Sequence, residues 1–135
     1  MIKLAIAVFL VALGSFLLGN SFNKTPINLT QTESSAEVDV SASYSGNFQF
    51  EIALNTHSVD LSNFDFSQSV ILKTKNYELK SISATPVSDS PPHHRTFTLT
   101  FPKFNLPVTL IVNNLGGTPE RKLIFESLPA GRQGR

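Results

Sequence analysis

The chain contains no cysteine and no tryptophan, and only 16% of its residues are charged. Without cysteine there is no disulfide scaffold, no iron–sulfur cluster, no thiolate zinc site and no thiol nucleophile. A lipoprotein anchor, which is built on a cysteine, is excluded for the same reason. Basic and acidic residues nearly balance, giving a formal charge of +1, so the clustered basic surface of a nucleic-acid binder is missing. Catalytic signatures are missing as well: there is no Gly-x-Ser-x-Gly elbow, no His-Glu-x-x-His, no P-loop and no dinucleotide fingerprint. His57, Ser58 and Asp60 have the residue types of a hydrolase triad, but they crowd into one short stretch with no motif framing the serine. These absences predict a protein that is not an enzyme.

The ends of the chain differ from its middle. Lys3 is followed by an uncharged apolar run, LAIAVFLVALGSFLL, from Leu4 to Leu18. That run matches the apolar region of an export signal and is short for a bilayer span, which takes about 20 residues. Residues 1–20 are therefore expected to be a signal peptide or membrane anchor, which makes the rest extracytoplasmic, either secreted or held at the membrane. Residues 21–35 read as a polar linker and 128–135 as a disordered tail. Setting aside Lys3, Arg132 and Arg135 turns the charge of +1 into −2, with eight basic residues against ten acidic. The exported body is mildly acidic.

From Ala36 onward the hydrophobic period is two. Val38, Val40, Ala42 and Tyr44 alternate with polar residues, as do Phe48, Phe50, Ile52 and Leu54, then Phe97, Leu99 and Phe101. Such alternation marks half-buried strands. About seven are expected, at 36–44, 47–54, 69–73, 77–83, 95–101, 107–113 and 121–126. Turn residues separate them, among them Gly46, Pro91, Pro92, Pro102, Pro107, Gly116 and Gly117. The pattern predicts an all-β domain over 36–127, an antiparallel immunoglobulin-like β-sandwich, with a barrel as the alternative. Eleven phenylalanines would fill the space that tryptophan and a disulfide fill in antibody domains.

If successive strands alternate in direction, the short loops 45–47, 74–76 and 102–106 share one end. The longer loops 55–68, 84–94 and 114–120 share the other. His57, His93 and His94 all fall in the second set, with Asp60, Asp65, Asp89 and Glu120, and with Arg95 and Arg121 at its edge. Long loops at one end of a rigid sandwich are where binding sites usually sit. Neutral imidazole and carboxylate are ordinary ligands for zinc or copper. His57, His93 and His94 are thus candidate metal ligands, with Asp60 or Asp89 and Arg95, Glu120 and Arg121 around them in supporting roles. The competing reading is local: Thr56, Ser58 and Asp60 shape a turn, the histidines pack and hydrogen-bond, and Glu120 and Arg121 pair with neighbouring loops, Arg95 or Asp60 among them.

The segments NTHSVDL (55–61), HHR (93–95) before a Thr-x-Thr-x-Phe-Pro strand, and GGTPER (116–121) resemble a small family of uncharacterised exported prokaryotic domains. That family pairs an Asn/Asp-Thr-His-Ser-Val-Asp-Leu segment with a later His-His and a closing Gly-x-Pro-Glu-Arg. The resemblance covers roughly residues 47–126 and implies a domain and its site residues, but no reaction. Two functions follow. One is an exported binding domain that takes a transition-metal ion at its histidine-bearing loop end. The other is a structural or protein-interaction module in which the same loops only brace the fold and recognition lies elsewhere, for example along an edge strand.

Overall fold

The computed structural model describes residues 29–88 and 91–127, and more than half of that length is antiparallel β-structure with almost no helix. The strands are β1 (Leu29–Ser35), β2 (Val38–Tyr44), β3 (Gln49–Thr56), β4 (Val70–Lys73), β5 (Glu78–Lys80), β6 (Ser83–Pro86), β7 (His94–Thr100), β8 (Val108–Leu115) and β9 (Thr118–Phe125). One helical turn, α1 (Phe66–Ser69), precedes β4. They form two sheets, ordered β1-β2-β3-β7-β6 and β5-β4-β8-β9. The all-β, sandwich-like fold expected from the alternation is present. The expected leader (1–20) and tail (128–135) lie outside the described residues, as does most of the linker. Among the described residues no helix is long and apolar enough to cross a membrane.

The period-two pattern explains the core directly. On β2, Val38, Val40, Ala42 and Tyr44 are buried while Asp39 is exposed; on β3, Phe50, Ile52 and Leu54 are buried while Glu51 is exposed. Facing them from the second sheet are Val70, Leu72, Leu110, Val112, Leu123 and Phe125. Phenylalanine dominates the contacts: the ring of Phe50 lies 5.0 Å from that of Phe125 and 5.9 Å from those of Phe101 and Phe104. Each buried aromatic side chain contributes about 1.5–3 kcal/mol of burial free energy, so this cluster does much of the work that a disulfide would otherwise share.

Two features differ from the sequence expectation. Residues 29–35, placed in the linker, instead form the edge strand β1, paired along its whole length with β2 from Leu29↔Tyr44 to Ser35↔Val38. Its composition (LTQTESS) hides the strand, because only Leu29 on its inward side is apolar. The expected strand at 77–83 is two strands in different sheets: β5 pairs with β4 and β6 with β7. The chain changes sheets at Ser81 and Ile82, and Ile82 N–H donates to the Thr100 carbonyl, 2.7 Å, on arrival. Because β5 and β6 run in the same direction, the loop ends keep their order. The connections at 45–48, 74–77 and 101–107 lie at one end; those at 36–37, 57–65, 87–93 and 116–117 lie at the other.

Candidate functional site

The second set of loops forms the histidine end. At the end of β3, buried Thr56 turns the chain: its hydroxyl accepts the N–H groups of Ser58 and Val59, both 3.2 Å. Asp60 Oδ1 then accepts Ser62 N–H, 2.8 Å, a small turn stabilised by a side-chain acceptor. Donation from Ser62, by hydroxyl and by N–H, holds the Asp60 carboxyl below its ordinary range, with the nearby His93 adding a weaker effect. Further along, Asp65 caps α1, with Oδ1 accepting Ser67 N–H at 2.9 Å, Ser67 Oγ–H at 2.6 Å and Gln68 N–H at 3.3 Å. The Ser67 hydroxyl is the main cause of its lowered pKa.

Pro92 and His93 are laid against this turn by backbone bonds. Thr56 N–H donates to the His93 carbonyl, 2.9 Å, and Leu61 N–H to the Pro92 carbonyl, 3.0 Å. Side chains complete the joint. His93 Nδ1 lies 2.9 Å from the Val59 carbonyl, and His94 Nδ1 lies 2.9 Å from Asn55 Oδ1. A carbonyl only accepts, so His93 carries its proton on Nδ1. Arg95, the next residue, points inward from β7. Its Nη1 donates to the carbonyls of Leu61 (2.7 Å), Ser62 (3.4 Å) and Phe64 (2.9 Å). Its guanidinium lies 5.3 Å from the Phe66 ring centre and 4.8 Å from that of Phe97, and those two rings stack on each other at 4.1 Å. Cation–π contact of this kind fixes the plane of the group as well as its position.

Arg121 makes the second joint, and it is 2% exposed. From β9 its Nη1 reaches Glu33 Oε2 at 2.9 Å and the Val38 carbonyl at 2.8 Å. Its Nη2 donates to the carbonyls of Ser35 (2.9 Å) and Leu115 (3.1 Å) and to Thr118 Oγ1 (3.3 Å). One side chain thereby ties β1, the turn at 36–37, the end of β8 and the start of β9. That turn carries two residues, Ala36 and Glu37, with φ of +44° and +63°, where side chains are disfavoured. Ser58 Oγ–H donates to the Glu37 carboxylate and holds the turn from its other side. At Gly116 (φ +57°) an added Cβ would sit 2.7 Å from Val38 Cγ2, so the hairpin approaches β2 as closely as only glycine allows.

Several expected partnerships are replaced. Glu120 pairs with Lys122 on the surface, 3.0 Å, and not with Arg95 or Asp60. Arg121 takes Glu33 and backbone carbonyls as its partners, and Arg95 takes carbonyls and rings. His57, His93 and His94 do share one end, and all three are exposed. Among the described residues, however, no group of three or more His, Asp or Glu is placed to hold a metal ion. Asp89 lies outside the described residues. The site's strongest features, the Glu33–Arg121 pair and the aromatic stack on Arg95, had only faint sequence signals: a lone acid on an edge strand, and an arginine in phase with Phe97 and Leu99.

Comparison with known proteins found no matching family model, no matching curated protein and no matching solved structure.

Proposed function

We propose that the chain is an exported, non-enzymatic interaction module of immunoglobulin-like type whose loop end is braced as a rigid platform. One observation carries this reading: His93, His94, Arg95 and Arg121 each place ring or guanidinium nitrogens on carbonyl or amide oxygens of neighbouring segments. Side chains used in this way hold loops still, and loops held still on a sandwich end suit recognition, because little ordering cost remains to be met on binding. The strand order supports the immunoglobulin-like class. Apart from the added β1, the sheets read 2-3-7-6 and 5-4-8-9, the A-B-E-D and C′-C-F-G arrangement of that class. Export is supported by Lys3 and the apolar run from Leu4 to Leu18. The HHR and GGTPER segments, which carry the resemblance to exported prokaryotic domains, are the segments that make the two joints.

A metal-binding reading stands second, and one observation favours it. With Nδ1 of His93 and His94 each on an oxygen acceptor, Nε2 carries the lone pair, which is how metal-ligating histidines are usually oriented. Thermal unfolding with and without chelator separates the two. Under the bracing reading, His93→Ala/His94→Ala lowers the melting temperature by the same several degrees in both conditions. A wild-type melting temperature that falls when chelator is added, or stoichiometric uptake of zinc or copper at micromolar concentration, would overturn bracing in favour of a metal.

A further inference from the structure

Next to the Arg95 joint, the flank between β6 and the 62–67 segment opens into a cavity of about 460 Å³, within the ~300–1,000 Å³ range of small-molecule sites. Its lining residues include Phe66, Phe97, Ser62, Ser81, Arg95 and Ile82. Three details suggest an occupant. Arg95 spends Nη1 on three carbonyls, while Nε and Nη2 have no protein acceptor among the described residues and are not buried. Ser81 Oγ is buried and has no hydrogen-bond partner among the described residues. Ile82, at the sheet change, is 70% exposed, although it is large and apolar.

We propose that this cavity binds a carboxylate carried on a planar or apolar body. The free edge of a guanidinium presents two parallel donors that match a carboxylate in a fork. Here the fork is already held by three carbonyls and two rings, so binding does not have to order it. Among the described residues Arg95 is the only cation in the lining, which suits a singly charged group rather than a polyphosphate. Asp65 also borders the cavity as a charged carboxylate whose Oδ1 accepts from Ser67 and Gln68 at the start of α1, so a bound carboxylate must sit against Arg95 and away from it. Phe97 and Ile82 supply an apolar surface for the body of the ligand. This assigns a ligand class that the bracing reading leaves open, and it does not depend on how the histidines are used.

A carboxylate of this description can come from a free organic acid or from the C-terminus of a peptide, and one titration distinguishes them. The full chain, labelled with ¹⁵N, is titrated with phenylacetate, with phenylacetamide, and with a short peptide ending in phenylalanine as free acid or as amide. The carboxylates are expected to shift amide signals of residues 62–67, 81–84 and 95–97, and the amides to bind at least about tenfold more weakly. A free-acid peptide binding about tenfold tighter than phenylacetate identifies a chain terminus as the source; equal or weaker binding identifies a small acid. Ile82→Glu, at an exposed position, is expected to bind carboxylates more weakly than Ile82→Lys, and neither should alter the fold. Amides binding as well as acids, no shift of these signals at about 10 mM ligand, or equal affinities of the two Ile82 variants would overturn the proposal.

Discussion

Replacing Arg121 with alanine removes five hydrogen bonds from a place where most of the acceptors cannot turn to water. The carbonyls of Val38 and Leu115 are buried, those of Ser35 and the Glu33 carboxylate partly so. Leaving a buried acceptor unpaired costs about 1–3 kcal/mol, and breaking a buried ion pair from one side about 3–5 kcal/mol. The guanidinium is not free of cost itself, since its Nε is buried without a partner, which keeps the expected loss for Arg121→Ala near 3–5 kcal/mol. Against a native stability of about 5–15 kcal/mol, that loss leaves roughly 0–12 kcal/mol, so the variant is strongly weakened and unfolds only at the low end of the range. Two controls divide the effect. Glu33→Gln keeps an acceptor but leaves the buried guanidinium without its counter-charge, so it should cost about 1–3 kcal/mol, less than Arg121→Ala because the carbonyl acceptors of Arg121 remain paired. Arg121→Lys keeps the charge but cannot reach Glu33, Ser35, Val38 and Leu115 together, so it should fall between the two. Urea unfolding followed by circular dichroism measures all three. The reasoning is refuted if Arg121→Ala unfolds within about 1 kcal/mol of wild type, or if Glu33→Gln costs as much as Arg121→Ala.

Two further outcomes follow from the same end of the molecule. Gly116→Ala should be more destabilising than Gly117→Ala by calorimetry: both pay for a positive φ, +57° and +78°, but only at position 116 does the added Cβ collide, 2.7 Å from Val38. Asp65 has a pKa lowered by Ser67, so its contribution to stability is complete above the unfolded-state value of about 3.9 and is lost as pH falls through the folded-state value. Asp65→Asn should therefore be less stable than wild type at pH 7, and the gap between them should narrow as pH falls through the folded-state value in parallel thermal scans; a gap that stays constant throughout the acid range would contradict the assignment.

Where one side of a strand is strongly apolar, the sequence was readable. Val38 to Tyr44 and Phe50 to Leu54 alternate so regularly that strand, face and register follow together. The same logic fails at β1, where Gln31, Glu33 and Ser35 occupy the inward side. That strand is specified by backbone pairing with β2 and by a charge from Arg121, neither of which leaves a hydrophobic period. The break at Ser81 and Ile82 was hidden because a strand that changes sheets keeps its direction and much of its composition; the out-of-phase Ile82 was its one visible trace. For this reason the grouping of histidines at one end survived a miscounted strand. What the sequence could not reveal was partner choice. Two arginines near acids and histidines suggest ion pairs, yet Arg95 chose three carbonyls and two rings, and Arg121 reached back to Glu33 across most of the chain. Those choices depend on which carbonyls the fold leaves unpaired, and a one-dimensional pattern does not contain that.

The central claim, that the histidine end is a brace, is tested most directly at the imidazole rings. Long-range ¹H–¹⁵N correlation spectra of the metal-free protein report which nitrogen of each ring carries the proton. The brace predicts Nδ1–H for both His93 and His94, facing the Val59 carbonyl and Asn55 Oδ1, with ring signals that do not move when one equivalent of zinc is added. Protonation at Nε2 in His93, or Nε2 signals in both rings shifting together on that addition, would contradict it.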